Sequence, residues 1–464
     1  MINRIIAIAL NSIRLAIRSR LVVCLLLILL VTIIGLPISI KGDGTFAGKA
    51  TILLFYTLGL TVVILGASTM WSACSSISQE VAGRQIQLVA VKPVSALEIW
   101  LGKWLGILIM NAVLLLISSV TVYSLLMMEV RKAGLDERET KALYNEVLVG
   151  RRSIEPREES VHGKAHARIE HLVEAGKIPP ELKNDETYFL EMEKRMKAAT
   201  HVVGAGKTKQ WIFDVPKSFN TKKAMAIRYR FSVSTRDRTP VSGMWKAGTI
   251  DSQANFTINS ESAMDGIHLL YIPSDAITPG EPAVITFSNT ETDKKNSAVF
   301  AQTNGIELMN KASSFAANYI RSIIVLFCHL ALVAALGLTL GSIFSFPVAT
   351  FCTCALIVLS LSVHYFTVLV GDDTHVVCHS HGHSHPEPTA WNELTTDFVK
   401  SIEKYIAPSM RYKPLDKLAD GILVSSSFTV GAILLLGLLY PAIMAVISTF
   451  LIRTRELALP KGHT

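Results

Sequence analysis

The chain has 464 residues, half of them hydrophobic and 18% charged, with a formal net charge of +8. A mean hydropathy of +0.40, with the apolar residues gathered in blocks, argues against a soluble globular protein and for an integral membrane protein. The basic balance does not mark a nucleic-acid binder, because the positive residues cluster where a membrane protein keeps its cytoplasmic charge.

Residues 1–20 read as an amphipathic helix at the membrane interface. Ile2, Ile5, Ile6, Ala9, Leu10, Ile13 and Ile17 recur at helical spacing, and Asn3, Arg4, Asn11, Arg14 and Arg18 point elsewhere. Six apolar stretches follow, at 21–40, 52–73, 104–128, 322–344, 347–370 and 421–452. Each reaches or exceeds the roughly 20 residues that span a bilayer core. The last is long enough to tilt, or to break near Gly437 and Pro441. Arg4, Arg14, Arg18 and Arg20 precede the first span, Arg84, Lys92 and Lys103 lie between the second and third, and Arg453, Arg455 and Lys461 follow the last. An N-in, C-in topology places all of them in the cytoplasm.

Transmembrane helices one to three occupy 21–128, with a polar segment at 78–103, and helices four and five occupy 320–370. Between them, 129–319 leaves the membrane. Its first part, 129–205, is charged and helix-prone. From 206 to 310 the pattern changes to short alternating runs such as Gln210–Pro216, Ala226–Thr235 and Ala283–Asn289, broken by turn residues. The expected fold is an inserted extracytoplasmic α+β domain, a helical part followed by an antiparallel β-sandwich. Trp211, Tyr229, Trp245 and Tyr271 could stack on sugars, but in a sandwich they are expected in its core. A second extracytoplasmic loop, 371–420, precedes helix six and a cytoplasmic tail at 421–464. The cysteines lie mainly in the spans and imply no disulfide framework.

Two short motifs invite chemical readings. His201–Thr208 ends like a phosphate-binding loop, but it lacks the leading glycine and the preceding buried strand, so no nucleotide site is expected there. His375, Cys378, His379, His381, His383 and His385 fall within eleven residues. Imidazoles at alternate positions of an extended chain suit zinc or copper, although the spacing does not suggest a closed structural site. Inside the spans the strongly polar groups are nearly confined to Asn111, His329 and His364, with no mid-span Asp, Glu, Lys or Arg. Ion-coupled carriers generally keep ionisable groups there, so a proton- or sodium-driven mechanism is disfavoured. The two histidines read as interhelical hydrogen-bonding groups.

The most informative segment runs from Glu80 to Lys103. It is far longer than a return loop needs. It has a helical middle around Ile86, Leu88 and Val89, a stop at Pro93, and Ser95 with Glu98 three residues on, a capping box for the third span. This order of Glu80, Gly83, Leu88, Pro93, Ser95, Glu98, Gly102 and Lys103 resembles the cytoplasmic coupling region of ABC-2-type transporter permeases. The amphipathic start, the six-span count and the Arg453–Leu457 ending agree with that family; Arg84 stands where a small residue is usual, and the resemblance does not cover 129–319.

The resemblance implies six helices of ABC-2 type and no ATP hydrolysis by this chain. It implies partner ABC ATPase subunits that hold ATP and magnesium, and a second permease copy or paralogue. Glu80, Gly83, Arg84, Leu88, Lys92, Pro93, Ser95, Glu98, Gly102 and Lys103 would form the ATPase-coupling element, with Arg84 and Lys92 as contact or lipid-headgroup residues. The role would be export or extrusion from a bacterial inner membrane, with 129–319 gating the outer exit or recruiting a periplasmic partner. Two other readings remain open at the level of sequence: a membrane-anchored extracytoplasmic interaction protein, and a metal-responsive sensor centred on the histidine-rich loop.

Overall fold

A computed structural model describes residues 2–18, 20–39, 46–82, 95–132, 134, 136–217, 219, 225–233, 240–249, 256–262, 266–273, 275–291, 297–301, 305–373 and 411–454. The chain divides into two compact units, one built from Met1–Leu148 with Ser314–Thr464 and the other from Val149–Ser313. Each has its own core.

The first unit is helical. Its elements are α1 (Ile2–Arg18), α2 (Arg20–Ser39), α3 (Phe46–Ala82), α4 (Ala96–Lys132) and α5 (Glu137–Glu146). After the second unit come α8 (Phe315–Ile343), α9 (Phe346–Asp373), α10 (Pro414–Ala419), α11 (Ser426–Ala432) and α12 (Tyr440–Thr454). Helices occupy all six predicted spans. Among the described residues four are long and apolar enough to cross a membrane: Phe46–Glu80, Ala96–Lys132, Phe315–Ile343 and Ser426–Ile452. The α1 helix and the Val23–Gly35 part of α2 meet the same test only as a pair, set at 69° to one another, and the apolar part of α9, Phe346–Ser362, is shorter.

Between α11 and α12, Ile433–Leu439 is π-helical, with Pro441 at the start of α12. Proline has no N–H to give the carbonyl four residues back, so the break falls where Gly437 and Pro441 predict it.

Two glycine pairs let helices approach closely. A Cβ on Gly337 of α8 would lie 2.8 Å from Ala73 Cβ, and one on Gly341 would lie 2.7 Å from the Cys74 carbonyl oxygen of α3. On α4, a Cβ on Gly102 would meet Ile8 at 2.7 Å, and one on Gly106 the Ala9 carbonyl oxygen at the same distance. Both pairs have the small-xxx-small spacing that membrane helices use to bring backbones together without a hydrophobic driving force. The α8 and α11–α12 segments run parallel at a near-constant offset. Asn318 takes Val424 N–H and gives to Ile422 O, Thr339 Oγ1 donates to Met444 O at 3.3 Å, and Ser448 Oγ donates to Ser342 Oγ at 3.0 Å.

The second unit contains β1 (Val149–Ile154), α6 (His162–Glu174), α7 (Glu186–Thr200), β2 (Val202–Val203), β3 (Thr208–Asp214), β4 (Met225–Tyr229), β5 (Phe231–Val233), β6 (Val241–Thr249), β7 (Phe256–Ser262), β8 (His268–Ile272), β9 (Pro282–Asn289), β10 (Ala298–Phe300) and β11, which runs to Ser314 from Ile306. The sheets have orders β1-β11-β4-β8, β2-β10-β5 and β3-β9-β6-β7. Period-2 alternation builds their shared core. In β9, Ala283, Ile285 and Phe287 point inward while their neighbours are half-exposed. Trp211, Tyr229 and Trp245 are in this core as expected, whereas Tyr271, expected with them, is exposed at its place in β8, where the neighbouring Leu270 and Ile272 point inward.

The 129–205 stretch is more divided than its helix-prone composition implies. Residues 129–132 finish α4, α5 lies in the first unit, and β1 is a strand beside β11. Arg151 and Arg152 obscure the strand pattern of β1; its place is decided by a partner some 150 residues away. The α6–α7 pair packs through a small core of Ala165, Ile169 and Met192.

Two predictions follow from these contacts. Gly341→Val would press a branched side chain onto the Cys74 backbone, which has no freedom to yield inside a helix. The cost should be about 1–3 kcal/mol, seen as a lower unfolding midpoint in detergent; an unchanged midpoint would show that the α3–α8 approach is not tight. His201, at the end of α7, has its pKa held below 6.5 by burial and by the charges of Lys209 and Lys197. The unfolded chain takes up a proton at higher pH than the folded one. The stability is therefore full above 6.5 and is lost as pH falls toward the folded value. His201→Gln should flatten that acid-side loss, read from amide exchange of β2 and β3 across the pH series.

Candidate functional site

The α3 and α4 helices are antiparallel, and three polar contacts cross between them at successive heights. At one end Lys49 Nζ lies 3.2 Å from Glu129 Oε2. In the middle Thr69 Oγ1 donates to Asn111 Oδ1 at 3.0 Å, both residues being fully buried. At the other end Lys103 Nζ lies 2.7 Å from Glu80 Oε1. Lys49 and Glu80 are separated by about 46 Å of helix and Lys103 and Glu129 by about 39 Å, at ~1.5 Å per residue. A hydrocarbon core of about 30 Å fits between the two ion pairs with room for the headgroup layers. The charges thus bracket the apolar stretch that they flank in the sequence.

The end carrying Glu80 and Lys103 is the more elaborate. Lys103 is 3% exposed, and its ammonium also donates to Ser76 O at 2.7 Å and Ser76 Oγ at 3.0 Å. All three of its protons are therefore engaged on the last turns of α3. Eight residues earlier, Ser95 and Glu98 form the predicted capping box: Ser95 N–H donates to Glu98 Oε2 at 2.9 Å, and Glu98 N–H to Ser95 Oγ at 3.2 Å. Arg4 of α1 adds an attractive charge to Glu98. One turn further on, Gly102 is covered by Ile5 and Ile8, and Gly106 by Ala9 and Ser12. The contacts advance together along both helices, so α1 runs parallel to the start of α4. Trp100, 1% exposed, stacks on Trp104 at 5.8 Å between ring centroids, and Trp104 Nε1 donates to Ala331 O of α8.

The candidate coupling residues thus fall into two groups. Glu80, Ser95, Glu98, Gly102 and Lys103 are drawn together at one end of the α3–α4 hairpin, where they tie helices to one another. Gly83, Arg84, Leu88, Lys92 and Pro93 lie outside the described residues. Sequence reasoning placed Glu80 and Lys103 in a docking element; the fold turns both onto the hairpin itself, because Lys103 has its partners on α3 and little exposed surface. It also missed Ser76, Thr69 and the Lys49–Glu129 pair. The signal for the pair was present: a lone cation and a lone anion flank two apolar runs of similar length.

The remaining motifs resolve differently. The His201–Thr208 stretch is β2, a turn and the start of β3, with Gly206 at φ +68°. Gly206 and Lys207 give their amides to Asn289 O and Gly204 O, and Thr208 opens a strand where a phosphate loop would open a helix. The Nδ1 atom of His329 bonds to Val325 O of its own helix, so this bond is intrahelical where an interhelical one was expected. The side chain of His364 lies outside the described residues, as do His375, Cys378, His379, His381, His383 and His385. Among the described residues no three His, Cys, Asp or Glu side chains are grouped to hold a metal ion. Comparison with protein-family models, with curated proteins and with solved structures finds no match for this chain.

The burial asymmetry of the inner ion pair predicts unequal mutants. Glu80→Ala leaves Lys103 charged at a site with almost no access to water, at a cost approaching the ~3–5 kcal/mol of a broken buried pair. Lys103→Met leaves Glu80, whose side chain is 21% exposed, able to reach solvent, and should cost less. Unfolding midpoints of the two variants in detergent check the order.

Proposed function

We propose that this chain is the membrane-embedded subunit of an ATP-driven exporter or extrusion machine of the ABC-2 permease kind. The observation that carries the reading is the pair of polar devices that flank residues 83–94, the Glu80–Lys103 ion pair and the Ser95–Glu98 box. One side of it leaves α3 just past a carboxylate locked to Lys103, and the other enters α4 through the Ser95–Glu98 box. A segment held at both ends by separate polar devices can transmit a push from a partner into two spans together, where a slack loop would absorb it. In this reading the Glu80–Lys103 end faces the cytoplasm, in keeping with the positive charge on its side of the sequence.

ATP and magnesium would reside on separate ATPase subunits docked against 83–94. Glu80, Ser95, Glu98, Gly102 and Lys103 act as the frame behind that dock, and Arg84, Leu88 and Lys92 belong to its surface. A second copy or a paralogue would complete the transmembrane path. The chain would lie in a bacterial inner membrane, N-in and C-in with six spans, and the 149–313 unit would work on the far side as an exit gate or as the contact for an extracytoplasmic partner. A second reading, a membrane-anchored interaction protein with no transport role, is favoured by one feature: the 149–313 unit has a complete core of its own.

Purification of the tagged chain in mild detergent, with an ATPase assay and mass spectrometry of the eluate, separates the two. The permease reading expects a co-purifying nucleotide-binding subunit that is lost on deletion of 83–94 and weakened by Arg84→Glu. Association that survives the deletion, or an eluate without ATPase, overturns it.

A further inference from the structure

The α1 helix carries three faces. Ile5, Ile8, Ala9 and Ser12 turn toward Gly102 and Gly106 of α4. Beside them Ile2, Ile6, Leu10 and Ile17 are 46–69% exposed, a continuous apolar strip with no protein cover among the described residues. The third face carries Arg4, Arg14 and Arg18, and Arg20 follows directly. No acidic residue occurs in the chain before Asp43. The 69° bend between α1 and the apolar part of α2 sets α1 close to the membrane plane when α2 is close to the normal.

We infer that α1 is a binding face for anionic phospholipid, and that lipid held there stiffens the end of α4 that carries Glu98 and Lys103. An apolar strip beside a basic arc, on a helix lying across the entry of a span, matches a headgroup–acyl boundary. Neutral lipid would cover the strip but offer no charge to Arg14, Arg18 and Arg20; anionic headgroups satisfy both faces. The mechanical link is short. Ile8 and Ala9 close on Gly102 and Gly106, one helical turn apart on α4, with Lys103 between them. Fixing α1 at the headgroup layer therefore restrains the helix start on which the Glu80–Lys103 pair depends. The inference needs only α1, α2 and α4, and it stands whether or not an ATPase partner exists.

The test uses the full chain reconstituted in phosphatidylcholine vesicles, with a trace of spin-labelled phosphatidylglycerol or spin-labelled phosphatidylcholine. The immobilised fraction of each is read by electron spin resonance. Each basic residue near an anionic surface adds roughly fivefold in preference at low salt, so the phosphatidylglycerol label should be favoured at least severalfold. That preference should shrink toward parity in about 0.5 M salt as the Debye length shortens. Arg14→Gln with Arg18→Gln should remove most of it while the unfolding midpoint holds. In parallel, amides of 96–104 should exchange several-fold more slowly in vesicles containing one part in four phosphatidylglycerol than in phosphatidylcholine alone.

Equal immobilisation of the two labels, or a preference untouched by the double variant, overturns the lipid site. Exchange at 96–104 that ignores lipid charge overturns the link to α4. If the apolar strip is covered instead by a second copy of the chain, Ile6→Gln with Leu10→Gln will abolish a cross-linked dimer, and a lipid preference that appears only in that double variant also overturns the inference.

Discussion

A lysine ammonium buried against a carboxylate and a helix end is the contact on which the membrane unit depends. Lys103 reaches from the first turns of α4 onto the last turns of α3 and spends its three protons on Glu80 and Ser76. An unpaired ammonium at a 3% exposed position is prohibitive, so α3 and α4 have one favourable register at this end. The Lys49–Glu129 pair states the same register at the other end, and Thr69–Asn111 repeats it in the interior. Three independent contacts along one antiparallel pair leave little room for sliding. Slippage by a single residue would rotate every small side chain away from the seam it fills.

That fixed pair then serves as a template. The α8 helix lies against α3 through Gly337 and Gly341 and against α4 through Trp104 and the Tyr319–Ser119 bond. The α11–α12 segment is keyed to α8 at a near-constant offset by side-chain bonds to backbone and hydroxyl groups. In a bilayer the apolar effect does not draw helices together, so backbone approach and directional bonds decide which faces meet. The buried hydroxyls of α3 and α8 fit this economy. Many donate back to a carbonyl one turn earlier, as Thr61, Ser78 and Ser322 do, which removes a polar group from the lipid without asking for a partner.

The second unit is organised by different physics. Its centre is an aromatic and aliphatic core drawn from all three sheets, with Trp211, Trp245 and Phe287 each in ring contact with Phe300. Close packing there is tight enough that a side chain on Gly243 would fall 2.1 Å from the Phe287 ring. A core of this kind forms by removing apolar surface from water, so the unit carries its own reason to fold.

Much of this was legible in the chain. Hydropathy blocks placed the helices, because a span needs an unbroken apolar run and nothing else in a protein looks like one. The Ser95–Glu98 box was readable because its two bonds join residues three apart, and the break near Pro441 because a missing N–H acts within one turn. Alternation exposed β3 and β9 for the same local reason. What only the tertiary structure decided is every pairing over long separation. Glu80 and Lys103 were legible as members of the candidate coupling element, but not as partners of each other. The glycines of α4 and α8 were single letters until Ile8, Ala9 and Cys74 stood against them, and β1 was hidden among charged residues until β11 stood beside it. Composition and short spacing fix what a segment is; which segment it touches depends on shape and partners that the local sequence does not contain.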